Sequence, residues 1–273
     1  MKILRILRIL LALAFLVGIT ALFADPTRES FQFVGWMAKL QFWPTCLGLS
    51  AIALAIIALT LVFGRVYCSV VCPLGVMQDI AVRIRGIFVR RGFPVGVNAP
   101  KKAQSVVRAL VAAVFFSGGF LGLHFAWLEP YAIYGRLMSV TAVPLGVFAN
   151  NQVVVWAERH GSYAAIAMEN ALPPVAFIVF AASLAALVFV LAVWKGRFWC
   201  NVVCPVGTVL GLLAKFSFFR PRIDSAACIG CKACERRCKG RCIDVDSRSI
   251  DASRCVACCD CSAACPKGAI KWR

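Results

Sequence analysis

Near its C-terminus the chain reads CIGCKACERRC from Cys228 and CVACCDCSAACP from Cys255, two runs of the form C-x2-C-x2-C-x3-C. Three thiolates spaced this closely cap three corners of an iron-sulfur cubane, and the fourth cap must come from elsewhere in the chain. In the bacterial ferredoxin pattern the fourth cysteine of each run serves the other cluster. Cluster I then takes Cys228, Cys231, Cys234 and Cys265, and cluster II takes Cys255, Cys258, Cys261 and Cys238. Two 4Fe-4S clusters crossed in this way would tie together a segment too short to bury a sizeable apolar core. Zinc on the same thiols is the competing reading. Two details depart from the pattern: Lys239 stands where a proline is expected after Cys238, and Cys242, one helical turn on, is an alternative to Cys238. Cys259, inside the second run, and Cys46 both read as free buried thiols.

A second cysteine system lies upstream. The segment GRVYCSVVCPLG from Gly64 returns as GRFWCNVVCPVG from Gly196. Cys68 and Cys72, like Cys200 and Cys204, are four residues apart, so on a helix each pair shares one face. If the repeat brings the pairs together, four thiolates could hold a further Fe-S cluster, Cu(I) or zinc, or serve thiol-disulfide exchange. The plainer alternative is that these cysteines pack a tight turn at a helix end.

A composition 61% hydrophobic and 15% charged excludes an ordinary soluble globule. Four stretches are apolar and long enough to cross about 30 Å of hydrocarbon: Ile6–Ala24, Trp43–Phe63, Gln104–Trp127 and Pro173–Trp194. Trp43, Trp127 and Trp194 stand at segment ends, where an indole favours the headgroup layer. The first stretch, led by Lys2, Arg5 and Arg8, also resembles a signal peptide, but Leu22 and Ala24 make a poor cleavage site and a retained span is expected. Residues 1–8 carry +3, 64–103 carry +6 and 195–273 carry +9, whereas 24–42 carry 0 and 128–172 carry −1. The positive-inside rule then places both termini and the middle loop in the cytoplasm. That asymmetry explains the net +18, and no zinc-finger, RNP or helix-turn-helix pattern points to nucleic acid. The segment 128–172, broken by Pro144, reads as an interfacial helix on the outer surface, with a fifth span as the alternative. Lys232, Arg236, Arg237, Lys239 and Arg241 suit lipid headgroups or an acidic redox partner, and ordinary positive-inside bias is the simpler account of them.

The expected architecture is an α-helical membrane protein: four transmembrane helices as a duplicated two-helix unit over residues 1–222, then a small cytoplasmic bacterial-type 2×(4Fe-4S) ferredoxin-like α+β domain over 223–273. These features together resemble the NapH and MauN family of ferredoxin-type membrane proteins. The resemblance rests on the four spans, the motifs Cys68 to Pro73 and Cys200 to Pro205, and the double run from Cys228 to Pro266. It implies a multi-pass protein of the bacterial inner (cytoplasmic) membrane, a component of a quinol dehydrogenase. Such a component would pass electrons from the quinol pool towards a periplasmic reductase or dehydrogenase system, with a soluble Fe-S or cytochrome redox partner. CcoG-like proteins share the same elements and imply the alternative, a copper-binding or copper-reducing assembly factor. A non-catalytic Fe-S redox sensor or anchor is a third. A quinone pocket needs a proton acceptor beside apolar walls, and His124 and Glu129, at the outer end of the third span, are the candidates. The plainer role for such a His is an interfacial anchor.

Overall fold

The computed structural model describes residues 2–25, 32–42, 50–89, 92–93, 101–120, 128–163, 166–169 and 172–272. Trp43, Cys46, His124 and Trp127 lie outside the described residues. In chain order the helices are α1 (Lys2–Ala24), a 3₁₀ segment (Gln32–Leu40), α2 (Ala51–Phe63), α3 (Tyr67–Val70), α4 (Pro73–Phe88), α5 (Lys101–Phe120), α6 (Pro130–Val140), α7 (Ala142–Arg159), α8 (Val175–Lys195), a π-turn (Trp199–Val203) and α9 (Pro205–Ala214). At about 1.5 Å per residue, α1 and α8, with 23 and 21 residues, are both long and apolar enough to cross a membrane. The described part of the expected second span is the 13-residue α2, capped by the Ser50 hydroxyl on the Ala53 N–H. The expected third span coincides with α5 as far as Phe120.

Residues 128–172 depart from expectation. In place of one surface helix there are α6 and α7, bent by 41°, which together pass as a further apolar span. The bend follows from Pro144, which has no N–H to donate to the Val140 carbonyl. Helix α6 is not peripheral: its Tyr131, Ile133 and Tyr134 are buried in the same core as Cys68, Cys72 and Cys204. An aromatic face of this kind favours burial between helices over a lipid surface.

Both copies of the repeat begin on a glycine with positive φ, Gly64 at 75° and Gly196 at 70°, whose N–H closes the preceding helix on Thr60 and Ala192. Pro73 and Pro205 open α4 and α9, where the missing N–H costs nothing. The helices after the motifs then cross over: α4 packs on α8 and α6, and α9 packs on α2 and α5. Each motif is thereby held by the helix preceding the other.

The tail is small and mixed. Strands β1 (Pro221–Ile223) and β4 (Ile270–Trp272) pair antiparallel with Pro221 opposite Trp272, and β2 (Ile243–Asp244) pairs with β3 (Ser249–Ile250). Between them lie α10 (Ala233–Arg237) and α11 (Asp260–Ala264). The tail's apolar cluster consists mostly of cysteines, with Ile243, Val245 and Ile270.

Candidate metal centres and the buried ion network

The two tail runs are wound by the same backbone device. The residues flanking the second cysteine are left-handed in both: Gly230 (φ 70°) and Lys232 (55°) in the first, Ala257 (50°) and Cys259 (59°) in the second. Lys232 and Cys259 then cap α10 and α11. This winding turns the cysteines inward. Cys228, Cys231, Cys234 and Cys265 line a cavity of about 350 Å³. Cys238, Cys242, Cys255, Cys258 and Cys261 line a second cavity of about 350 Å³, together with Cys259. Thiols around a largely apolar hollow fit the donor set of a cubane. A single zinc ion needs its ligands to converge on one point, and among the described residues no three Cys, His, Asp or Glu side chains do so.

Both candidates for the remote ligand of the second cavity are present, with the Cys238 and Cys242 sulfurs 3.5 Å apart. The Cys242 side chain, with backbone N–H groups of Cys242, Gly240 and Arg241, brings the Cys238 thiol down to about 7. Cys242 itself is pushed well up by its contacts with Cys238 and Cys255. The amide-lined position belongs to Cys238. Cys259 occupies the left-handed cap position that Lys232 holds in the first run, which explains a cysteine there outside the ligand spacing.

The four helix-end thiols lie near enough for Cys68 and Cys200 to act on both Cys72 and Cys204, although among the described residues no three of them converge on one point. All four are buried. Burial, opposed by Arg65 and Arg197, leaves Cys68 at about 11, and Cys200 adds to the rise. Burial also drives Cys72 and Cys204 well up, and in both cases Cys200 and Cys68 push in the same direction. Cys72 and Cys204 sit at the N-termini of α4 and α9, and the Gly207 N–H donates to the Cys204 sulfur at 3.3 Å. A helix N-terminus favours a thiolate. Gly75 and Gly207 allow this close winding, since a Cβ on either would collide with the carbonyl oxygen of Cys68 or Cys200.

Around these thiols lies a charge network absent from the sequence reading. Arg65 and Arg197, at equivalent repeat positions, have no solvent exposure. Arg197 Nε donates to Asp79 Oδ1 at 2.8 Å and its Nη1 to the Cys68 carbonyl at 2.6 Å. Arg65 has no carboxylate: Nη1 donates to the Gly207 carbonyl at 3.1 Å, Nη2 to Asn201, and Nε to the Cys255 carbonyl at 3.2 Å. One side chain thus spans the helix-end motif and the second tail cavity. Burial opposes the charge on Asp79, yet Arg197, Lys239 and Arg8 hold its carboxyl well below the usual range. Lys239 bridges Asp79 (3.3 Å) and Asp260 (2.9 Å), and Arg5 pairs with Asp260 at 2.7 Å. The lysine that broke the ferredoxin pattern is therefore one of the ties between the tail and the helices. Among the described residues, Arg197 Nη2 and Trp199 Nε1 are buried donors without an acceptor. Buried donors and cations around four thiols fit a negatively charged metal-sulfur group, since an unpaired buried charge is strongly unfavourable. The only visible signal in the sequence was the Gly-Arg pair at the head of each repeat.

Of the residues expected near a quinone, only Glu129 is described. It is not at a distant outer end: the hydroxyl of Tyr131, two residues on, donates to the Val71 carbonyl at 3.2 Å, one residue before Cys72. The reason is the burial of the aromatic face of α6. Burial lifts the Glu129 carboxyl to about 7, and its Oε1 has no partner among the described residues. Gln78 was missed. Its Nε2 donates to the Cys200 sulfur at 3.2 Å, and its buried Oε1 has no partner.

Residues 47–94 and 175–224 each match the family described as a 4Fe-4S binding domain. Both matches cover a helix-end motif, and the tail runs lie beyond them. MauN of Paracoccus denitrificans, a methylamine utilization ferredoxin-type protein, is 25% identical over 233 residues, 84% of this chain and 65% of that protein. The chain is similar to MauN over most of its own length. It is also 25% identical over 198 residues to YccM of Escherichia coli, a candidate electron transport protein, covering 70% of the chain and 46% of YccM. Protein MJ0749 of Methanocaldococcus jannaschii is 37% identical over 89 residues, 33% of this chain and 35% of that protein. The chain therefore spans between about a third and two thirds of the length of these relatives. No solved structure matches it.

Proposed function

We propose that this ferredoxin-type protein is membrane-bound and passes electrons between the quinol pool and a periplasmic reductase or dehydrogenase system. The observation that carries the reading is that Arg65 reaches from the α9 end of the helix-end motifs to Cys255 of the second tail cavity. In this reading Cys228, Cys231, Cys234 and Cys265 hold one 4Fe-4S cluster. Cys255, Cys258, Cys261 and Cys238 hold the second, and Cys68, Cys72, Cys200 and Cys204 hold a third iron-sulfur group. Bound clusters take up and release single electrons at potentials set by nearby charge and hydrogen bonds. The protein supplies spacing, exclusion of water and the positive field of Arg65 and Arg197, which raises the potential of what the thiols hold. The second tail cavity faces the helices, whereas Cys231 of the first is exposed. A soluble Fe-S or cytochrome partner would therefore meet the first cavity.

Four spans, built as a duplicated pair, with the bent α6–α7 pair read as a re-entrant element and both termini cytoplasmic, complete the proposal. Arg5 and Arg8 tie α1 to Asp260 and Asp79, which supports a retained first span and puts its N-terminal end on the tail's side. The division into residues 1–222 and 223–273 follows, with β1 straddling it.

A small apolar hollow between α4, α6 and α8 supports the quinol step, since ligand sites are mostly apolar with a few placed polar groups. Its walls include Leu74, Met77, Ile133, Leu137 and Phe189, and Gln78 is its polar member. Glu129 lies four residues before Ile133 on the same face of α6, where its carboxyl could take a proton. Gln78 could orient a quinol hydroxyl while contacting Cys200.

The test uses the full chain, purified anaerobically in detergent. Iron and sulfide should exceed the eight of each that two cubanes supply, and a quinol analogue should generate the EPR signals of reduced clusters. Intact clusters that no quinol reduces would end the quinol reading. Stoichiometric copper on the helix-end thiols would favour the assembly-factor reading instead.

A further inference from the structure

A cationic cavity of about 400 Å³ lies where the C-terminal half of α4 meets the tail and the start of α1. Arg5, Arg83, Arg85, Arg236, Arg237 and Lys239 line it, and Asp260 is its one carboxylate. Asp260 is already engaged by Lys239 and Arg5. Arg85 lies over the Phe93 ring at 4.5 Å, and Arg236 donates to the Cys231 carbonyl at 3.0 Å. Arg83 and Arg237 make no ion pair among the described residues. So many like charges around one hollow repel one another unless an anion enters.

The surroundings say which kind of anion. On α4 next to the cavity, Ile87 and Phe88 are 75% and 80% exposed, and on α1 Ile3, next but one to Arg5, is 82% exposed. Long apolar side chains exposed on both flanks of a cationic hollow, at the ends of apolar helices, match a molecule with a phosphate head and hydrocarbon chains. The cavity also has apolar walls of its own in Val82, Val89 and Phe93. The turn that closes it is tightly built: the Phe93 N–H donates to the Arg236 carbonyl at 3.0 Å, and Gly92 packs against the same residue with no room for a Cβ.

We propose that this cavity binds the phosphate headgroup of an anionic membrane phospholipid, with its acyl chains along the exposed apolar flanks of α1 and α4. The bound lipid offsets the charge at the joint and fastens the ferredoxin-like tail to the helices beside Lys239. It is independent of what the sulfur sites reduce or oxidise.

The test compares the full chain in nanodiscs of phosphatidylcholine alone and of phosphatidylcholine with phosphatidylglycerol. After mild delipidation, native mass spectrometry should find one phosphatidylglycerol retained at least ten-fold over phosphatidylcholine. Joint substitution of Arg83→Gln and Arg237→Gln should abolish that preference, while Lys267→Gln on the exposed tail surface leaves it unchanged; unchanged iron content checks the fold of each. Should the double variant fail to fold, Arg83→Gln alone must lower retention and Arg83→Lys restore it. Equal retention of the two lipids by the wild type, or of phosphatidylglycerol by the folded double variant, overturns the proposal. So does equal thermal stabilisation by inorganic phosphate, which would assign the cavity to a soluble anion.

Discussion

The two cysteine systems of this protein hold negative charge by different means. In the tail, the thiols hang from left-handed loops, with Cys231 exposed and Cys228 and Cys265 partly so, and Cys238 is steadied by neighbouring N–H groups. At the helix ends, thiols sealed among apolar helices are accompanied by two fully buried guanidinium groups. The difference follows from solvation. Loop ligands can share their charge with amides and water, whereas buried ligands need counter-charges that must themselves be buried, and these in turn need carboxylates. Asp79, Lys239 and Asp260 extend that requirement from the helices into the tail.

Removing one sulfur from each system tests the contrast most severely. Cys68→Ser should lower quinol-driven reduction at least 100-fold while leaving the tail cluster signals in EPR; an active variant would return the motif to a packing role. Cys231→Ser should lose the first tail cluster and loosen the tail around the second, read as lost iron and sulfide. Full occupancy there would refute the assigned ligand set.

Next in size is the charge network. Asp79→Asn leaves Arg197, Arg8 and Lys239 around a neutral amide, and loss of one partner of a buried pair costs about 3–5 kcal/mol. Because the folded carboxyl lies below its unfolded value, the wild-type advantage is complete above about pH 4 and shrinks as pH falls further. Thermal unfolding in detergent across that range checks both statements.

A smaller effect separates Glu129 from the tail acids. Its folded value is raised to about 7, so the stability linked to its neutral form is present in acid and lost as pH rises through that value. Glu129→Gln should flatten the decline in unfolding temperature between pH 5 and 8. A wild type whose stability does not change over this interval would contradict the buried, unpartnered placement.

The smallest expected change compares the two tail runs directly. Ala257 and Gly230 occupy matching left-handed positions. A side chain there is unfavourable by about 1 kcal/mol. Ala257→Gly should therefore stabilise the tail slightly and Gly230→Ala destabilise it by a similar amount, as measured by loss of cluster absorbance on heating. Opposite signs would mean that the two runs are not wound alike.

Much of this was legible in the residues. The tail thiols could be grouped because closely spaced cysteines leave the backbone few ways to turn; Cys228, Cys231, Cys234 and Cys265 line one hollow, while the other takes in Cys242 and Cys259 as well. The repeat marked Cys68, Cys72, Cys200 and Cys204 as matching positions for a similar reason, since two like segments find like environments. Segment 128–172 was misread because α6 and a surface helix look alike in hydropathy, and only the fit of Tyr131 and Tyr134 against the motif core distinguishes them. Arg65 and Arg197 were counted as sidedness signals, because nothing local to a Gly-Arg pair reports that its charge is enclosed.

Spacing and periodicity, which act over a few residues, were enough by themselves to mark the cysteine runs, the long apolar helices α1 and α8, and the kinship of the two motifs. Only the tertiary structure decided which charges are buried and what they join. Arg65 meets the Gly207 carbonyl across 142 residues and the Cys255 carbonyl across 190. Whether a cation is solvated or enclosed depends on what arrives from so far along the chain, and Coulomb and solvation energies respond to that enclosure rather than to neighbours in sequence.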